Sequence, residues 1–170
     1  LGECALCRVR LQQGDLGAAA PLAEQWVESA RSGVKFQLPW AISTLAVLRC
    51  ARGEPEEARR LAHEALAYAE TGALRSGQLW SELALARIHL RDGTPAACDE
   101  AAAWLARAEQ TLENTGCFAR LPDLLELRAE LARQRGDAAA REAALREALR
   151  VYQEKGAAPH AERIARELAS

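Results

Sequence analysis

The residues best suited to chemistry are a Cys-x-x-Cys pair, Cys4 and Cys7, and three histidines, His63, His89 and His160. A structural zinc site of this type needs a second such pair, and the sequence has none. A redox pair needs a strand-to-helix setting, whereas both cysteines fall inside a predicted helix. The histidines lie far apart, without partners at metal-ligand spacing. We therefore predict no metal site and interpret the two cysteines as small core or groove residues.

Paired acids are the other candidates for catalysis. Glu56-Glu57 and Asp99-Glu100 stand at the starts of predicted helices, where carboxylates interact favourably with the helix dipole. No glycine-rich phosphate loop is present. We expect no enzyme and no cofactor, since catalysis would require one of these acidic pairs, or the cysteine pair, to meet a histidine in a cleft.

Composition and charge argue against a nucleic-acid-binding or membrane-spanning protein. The 170 residues carry a net charge of −2, and 49% are hydrophobic but only 5% aromatic. No basic block points to a nucleic-acid partner, and no apolar run approaches the ~20 residues of a membrane span. Five irregularly spaced cysteines and the lack of a signal-peptide pattern favour a cytoplasmic protein with reduced thiols. Because methionine is absent even at position 1, we expect the chain to be part of a longer protein.

The predicted helices, which position the cysteines, histidines and acidic pairs, recur as a repeat. Gly14, Gly53, Gly93 and Gly136 lie 39, 40 and 43 residues apart, each between two predicted helices. Apolar residues in the second helices recur at i, i+3, i+4 and i+7. We predict one all-α domain, 1–170, with helix pairs at 1–32, 38–71, 76–115 and 120–155 and a capping helix at 158–169. Pro39 marks a helix start after a loop at 32–38, and Pro122 one after a loop at 116–121.

The pairs resemble tetratricopeptide repeats. Leu45-Ala46, Gly53-Glu54, Ala58 and Ala65 match the bulky-small pair, the turn and the second-helix alanines of that family. The resemblance implies a right-handed superhelical α-solenoid that acts as a non-catalytic protein-binding or scaffold module. The spacing of about 40 is similar to helical arrays in large bacterial signalling ATPases, cyclases and transcriptional regulators. It implies a C-terminal regulatory segment of such a protein.

The resemblance also implies a recognition surface, because first helices of tetratricopeptide pairs line the concave face. Its candidate residues are Arg8, Leu11, Trp40, Ser43, Thr44, Val47, Ser81, Glu82, Leu85, His89, Asp123, Glu126, Glu130 and Arg133. Such a groove is apolar in the middle and acidic toward its C-terminal end, and suits a protein segment with an apolar anchor and a basic flank. Alternatively, Trp40, Val47 and Leu85 pack in the core.

Two other functions remain open at this point. In a sensor domain, a small effector held near Trp40 changes the curvature of the array. In a self-association segment, exposed ends of the stack pair symmetrically in a homo-oligomer. The partner in the first hypothesis is a protein or peptide segment, including another domain of the same parent protein.

Overall fold

Helices make up nearly all of the described chain, which comprises residues 6, 7, 10, 11 and 14–169 of a computed structural model. No β-strand occurs in these residues, so the predicted all-α class is confirmed. Leu6, Cys7, Arg10 and Leu11 are helical. Within 14–169 the α-helices are α1 (Leu16–Ser32), α2 (Leu38–Ala51), α3 (Pro55–Thr71), α4 (Arg75–Asp92), α5 (Pro95–Thr115), α6 (Leu121–Gln134), α7 (Ala138–Glu154) and α8 (Ala158–Leu168).

Glycine and aspartate explain the short turns between helices. Gly53 and Gly136 adopt φ values of 83° and 72°, a left-handed conformation that side chains other than glycine rarely adopt. After Gly136, the Asp137 carboxylate accepts a hydrogen bond from the Ala140 backbone N–H at 2.9 Å and caps the start of α7. The Gly-Asp dipeptide thus ends one helix and starts the next.

The connections before α2 and α6 differ from the loops that the sequence predicted. Each contains a turn of 3₁₀-helix, Lys35–Gln37 and Phe118–Arg120, that runs directly into the following α-helix. Pro39 and Pro122 are the second residues of α2 and α6, where the missing N–H would have no helical partner in any case.

Small side chains allow the helices to approach closely. Ala58, Ala62, Ala65 and Ala69 follow one face of α3, and all four are completely buried. Larger apolar residues from the neighbouring helices fill the remaining space and form successive clusters along the chain. Burial of an alanine stripe brings helix backbones nearer than leucine-lined contacts do.

Each helix packs mainly against its neighbours in the sequence. Beyond these contacts, α2 packs against α4 and α4 packs against α6, so that these three helices lie side by side. Within 14–169, substantial contacts join no helices farther apart in the sequence. None of the described helices combines the length and apolar character needed to cross a membrane.

Candidate functional site

The row formed by α2, α4 and α6 contains a cleft with a cavity volume of about 100 Å³. Four segments contribute to its walls: Leu11 before Gly14, then α2, then α4, and finally the start of α6 with the 3₁₀ turn before it. The lining residues are Leu11, Thr44, Val47, Trp80, Leu83, Ala84, Arg87, Arg120 and Asp123.

The floor of the cleft is apolar. Leu83 and Ala84 are buried in α4, and Leu11 and Val47 are half-buried beside them. The Thr44 hydroxyl donates to the Trp40 carbonyl oxygen at 2.8 Å, so its hydrogen bond is made within its own helix. The base of the cleft therefore exposes mainly carbon atoms.

A cation, an indole and a carboxylate form one rim. The Arg120 guanidinium lies over the Trp80 ring, 3.6 Å from its centroid, and its Nη1 atom is 2.7 Å from Oδ2 of Asp123. Arginine favours such stacking because its planar cation is weakly hydrated and attracted by the π-face of the ring. Arg120 is thus held on two sides by its own chain.

Arg87 occupies a different position on the cleft. Its side chain is exposed, and it makes no ion pair with any residue of the described chain. It lies one helical turn beyond Leu83 and Ala84 on α4, at the i+4 and i+3 positions, and therefore adjoins the apolar floor.

The cleft brings together four of the residues that the resemblance implied: Leu11, Thr44, Val47 and Asp123. Arg8 lies outside the described residues. Trp40 does not line the cleft; it is half-buried, with its ring 5.7 Å from the Phe36 ring in an edge-on arrangement.

Other implied groove residues lie inside the protein. The hydroxyls of Ser43 and Ser81 are 3.0 Å apart and join α2 to α4, and both side chains are fully buried. Leu85 is also fully buried, which places it in the core, the alternative that the sequence left open for it. None of the three is accessible to a partner.

Glu82 is a buried carboxylate between α4 and α5. Its Oε1 atom accepts hydrogen bonds from Gln78 Nε2 at 3.0 Å and Arg107 Nε at 3.1 Å, while Oε2 has no partner in the described chain. Burial raises the pKa of Glu82, and the donated hydrogen bonds and the Arg107 charge only partly oppose this effect. Glu82 therefore has a structural position rather than one in the groove.

The acidic side chains farther along α6 have partners within the chain. Glu126 accepts hydrogen bonds from the Tyr152 hydroxyl at 2.5 Å and from Arg163 at 2.7 Å. Glu130 accepts from Arg133 at 2.7 Å and from Gln134 at 2.6 Å. The hydrogen bonds from Arg133 lower the pKa of Glu130 and keep it ionised. The acidic end of the implied groove is thus largely neutralised from within.

Three of the residues considered for catalysis, Cys7, His63 and His89, are packed within the described chain. The Cys7 thiol is buried and donates to the Ala19 carbonyl oxygen at 3.6 Å, while Cys4 lies outside the described chain. His63 packs edge-on against Trp104, and burial lowers the pKa of His89, which is half-buried. No group of three or more histidine, cysteine or acidic side chains among the described residues is arranged to hold a metal ion.

Sequence reasoning missed Trp80, Leu83, Ala84, Arg87 and Arg120, although one signal locates them. Adding 40 to the positions of Trp40, Ser43, Thr44 and Val47 in α2 gives the positions of Trp80, Leu83, Ala84 and Arg87 in α4. Adding 40 again aligns Trp80 with Arg120 and Leu83 with Asp123 in the segment that leads into α6. The residues assigned to the groove on α4 followed a different register, one that faces the core.

Comparison with protein-family models finds none that matches the chain, and comparison with curated proteins finds no match either.

Proposed function

We propose that this chain is a non-catalytic interaction module, built as a right-handed tetratricopeptide-like stack whose first helices bind a segment of another protein. The partner is a separate protein or another domain of a larger bacterial signalling or transcription-regulatory protein. The side-by-side packing of α2, α4 and α6 supports this arrangement, because first helices of successive pairs share one face in such a stack.

One observation carries the proposal: a cleft with an apolar floor is lined by successive helix pairs. Leu11, Val47 and Leu83 come from three different pairs and meet at this floor. A surface composed across several repeats suits an extended or helical segment, which lies along the row and inserts side chains between its members. Since the row is preformed by packing, little ordering of the receptor opposes binding.

The dimensions of the cleft favour a peptide side chain over an enclosed effector. Small-molecule sites typically occupy about 300–1,000 Å³, and this cavity of about 100 Å³ is smaller. It also adjoins Trp80, whereas the effector hypothesis placed its pocket at Trp40.

The surface of α8 argues against self-association through the C-terminal end of the described chain. Ala161 and Ile164 face inward and are buried, while Glu162, Arg163 and Arg166 are exposed on the other side. Charged side chains are depleted at the centres of protein–protein interfaces, so a face carrying these three charges is poorly suited to symmetric pairing.

Selection from a displayed library of random 12-residue peptides tests the proposal. The immobilised chain is compared with Val47→Arg, which places a long charged side chain in the cleft. Ala67→Arg adds the same side chain to an exposed position of α3 and serves as the matched control. Unfolding midpoints establish that all three proteins are folded.

We expect the wild type and Ala67→Arg to enrich a common family of peptides that Val47→Arg no longer binds. Failure of the wild type to enrich any family, or equal binding by folded Val47→Arg, would overturn the proposal.

A further inference from the structure

Charges around the cleft differ in whether they already have partners. Of its three charged lining residues, Arg120 and Asp123 pair with each other at 2.7 Å. Arg87 alone makes no ion pair with the described residues. Pairing of Arg120 with Asp123 leaves the lining with one uncompensated positive charge.

A second arginine extends this positive site along α4. Arg91 lies one turn beyond Arg87, is exposed, and donates to the Ala51 carbonyl oxygen at 3.4 Å without forming an ion pair in the described chain. The neighbouring Asp92 carboxylate is directed to Arg59, at 3.7 Å. Two cations at i and i+4 thus lie on α4 without an ion pair to a described carboxylate, and Arg87 is the one that lines the cleft.

We propose that the cleft recognises an acidic segment of a partner protein, in which an apolar side chain enters the cleft and a neighbouring carboxylate binds Arg87. This inference rests on the proposed function and specifies the chemistry of the partner. It replaces the basic flank that the sequence suggested, because the carboxylates expected to attract that flank are occupied by Arg120, Arg133 and Arg163.

The spacing of the two contacts follows from the helix. Arg87 lies about 6 Å along α4 from Leu83, given a rise of about 1.5 Å per residue. An acidic residue one or two positions from the apolar anchor spans this distance in an extended segment, and one three or four positions away spans it in a helical segment. Carboxylate is the expected partner because arginine donates two parallel hydrogen bonds to it.

A second displayed library tests the charge preference. Each peptide carries one fixed leucine anchor, and the four positions on either side vary among Asp, Glu, Lys, Arg and Gln. The wild type is compared with Arg87→Gln and Arg87→Glu. Arg146→Glu provides the control, because it makes the same charge reversal at a highly exposed position of α7.

We expect the wild type to enrich acidic over basic residues about 5-fold at one or more positions, as one partly exposed ion pair contributes at most about this factor. Arg87→Gln should abolish the preference, Arg87→Glu should reverse it, and Arg146→Glu should leave it unchanged. A basic or absent preference in the wild type, or a preference unaffected by Arg87→Glu, would overturn the inference.

The two proposals fail in different ways. If peptides bind the wild type, are lost with Val47→Arg and show no acidic preference, the cleft is a binding site and only the charge assignment is wrong. If no peptide binds the wild type, or if Val47→Arg retains every peptide, both proposals are wrong.

Discussion

Gly77 offers the sharpest test of how closely successive helix pairs pack. It lies near the start of α4 and is buried where this helix meets α2 and α3. A Cβ atom built at Gly77 would lie 2.9 Å from Cβ and 3.1 Å from Cγ of Pro39, and 3.6 Å from Cβ of Ala69. Neither neighbour can rotate away, because a proline ring and an alanine methyl group are fixed to the backbone.

The expected change in the free energy of unfolding is the balance of two opposing effects of Gly77→Ala. Replacing a helical glycine by alanine stabilises a helix by about 0.5–1 kcal/mol. Overpacking that forces backbone shifts typically costs about 1–3 kcal/mol. Since the distance to Pro39 Cβ is below any normal carbon contact, we expect the second effect to exceed the first, with a net loss of about 1–2 kcal/mol.

Urea unfolding followed by circular dichroism measures this difference. Gly17→Ala is the matched control, since its Cβ would meet only Asp15 Oδ1, at 3.8 Å, within the first turn of α1. We expect this control to unfold at the wild-type urea concentration or above it. A Gly77→Ala protein as stable as the control would show that α2 and α4 do not approach each other as described.

Four further predictions concern stability and reactivity. Burial raises the folded-state pKa of Glu82 above its ordinary 4.5, so its ionisation lowers the free energy of unfolding as pH rises above 4.5. Glu82→Gln should remove this contribution to the pH dependence of stability, measured by urea unfolding between pH 4 and 7. An unchanged pH dependence would contradict the prediction. Asp137→Ala should cost about 1 kcal/mol of unfolding free energy through loss of the α7 cap; no change in the midpoint would contradict this. Glu126→Gln should lower the free energy of unfolding by about 1 kcal/mol yet leave peptide binding intact. Weaker binding at unchanged stability would instead show that Glu126 contacts the peptide. Burial raises the pKa of the Cys50 thiol, so iodoacetamide should modify the half-buried Cys117 before Cys50, as followed by peptide mass spectrometry; faster modification of Cys50 would refute this.

The helix pattern was accessible from sequence because its signals are local. Gly53 followed by Glu54-Pro55, and Gly136 followed by Asp137, carry the backbone freedom, cap and proline that a helix-to-helix turn needs. The short connections before α2 and α6 were less accessible, since a single 3₁₀ turn has no periodic apolar pattern.

The candidate site was harder to predict because a helix face is decided by register. An error of one residue on α4 rotates the assigned face by about 100°, which exchanges Trp80 for Ser81. Ser81 is fully buried against Ser43, and Trp80 lines the cleft. The glycines were 39, 40 and 43 residues apart, so they did not fix the register to one residue; the alignment of Trp40 with Trp80 does.

Charge in the groove depends on partners that are distant in sequence. Glu126 binds Arg163, 37 positions later, after the chain has turned through α7 and into α8. No local pattern reveals that this carboxylate is occupied, whereas i, i+3 pairs such as Glu130 with Arg133 are visible from spacing alone. The candidate groove is acidic by composition, yet it presents a cation without an ion pair at Arg87, because the charge at a protein surface is what remains after the fold has paired its own residues.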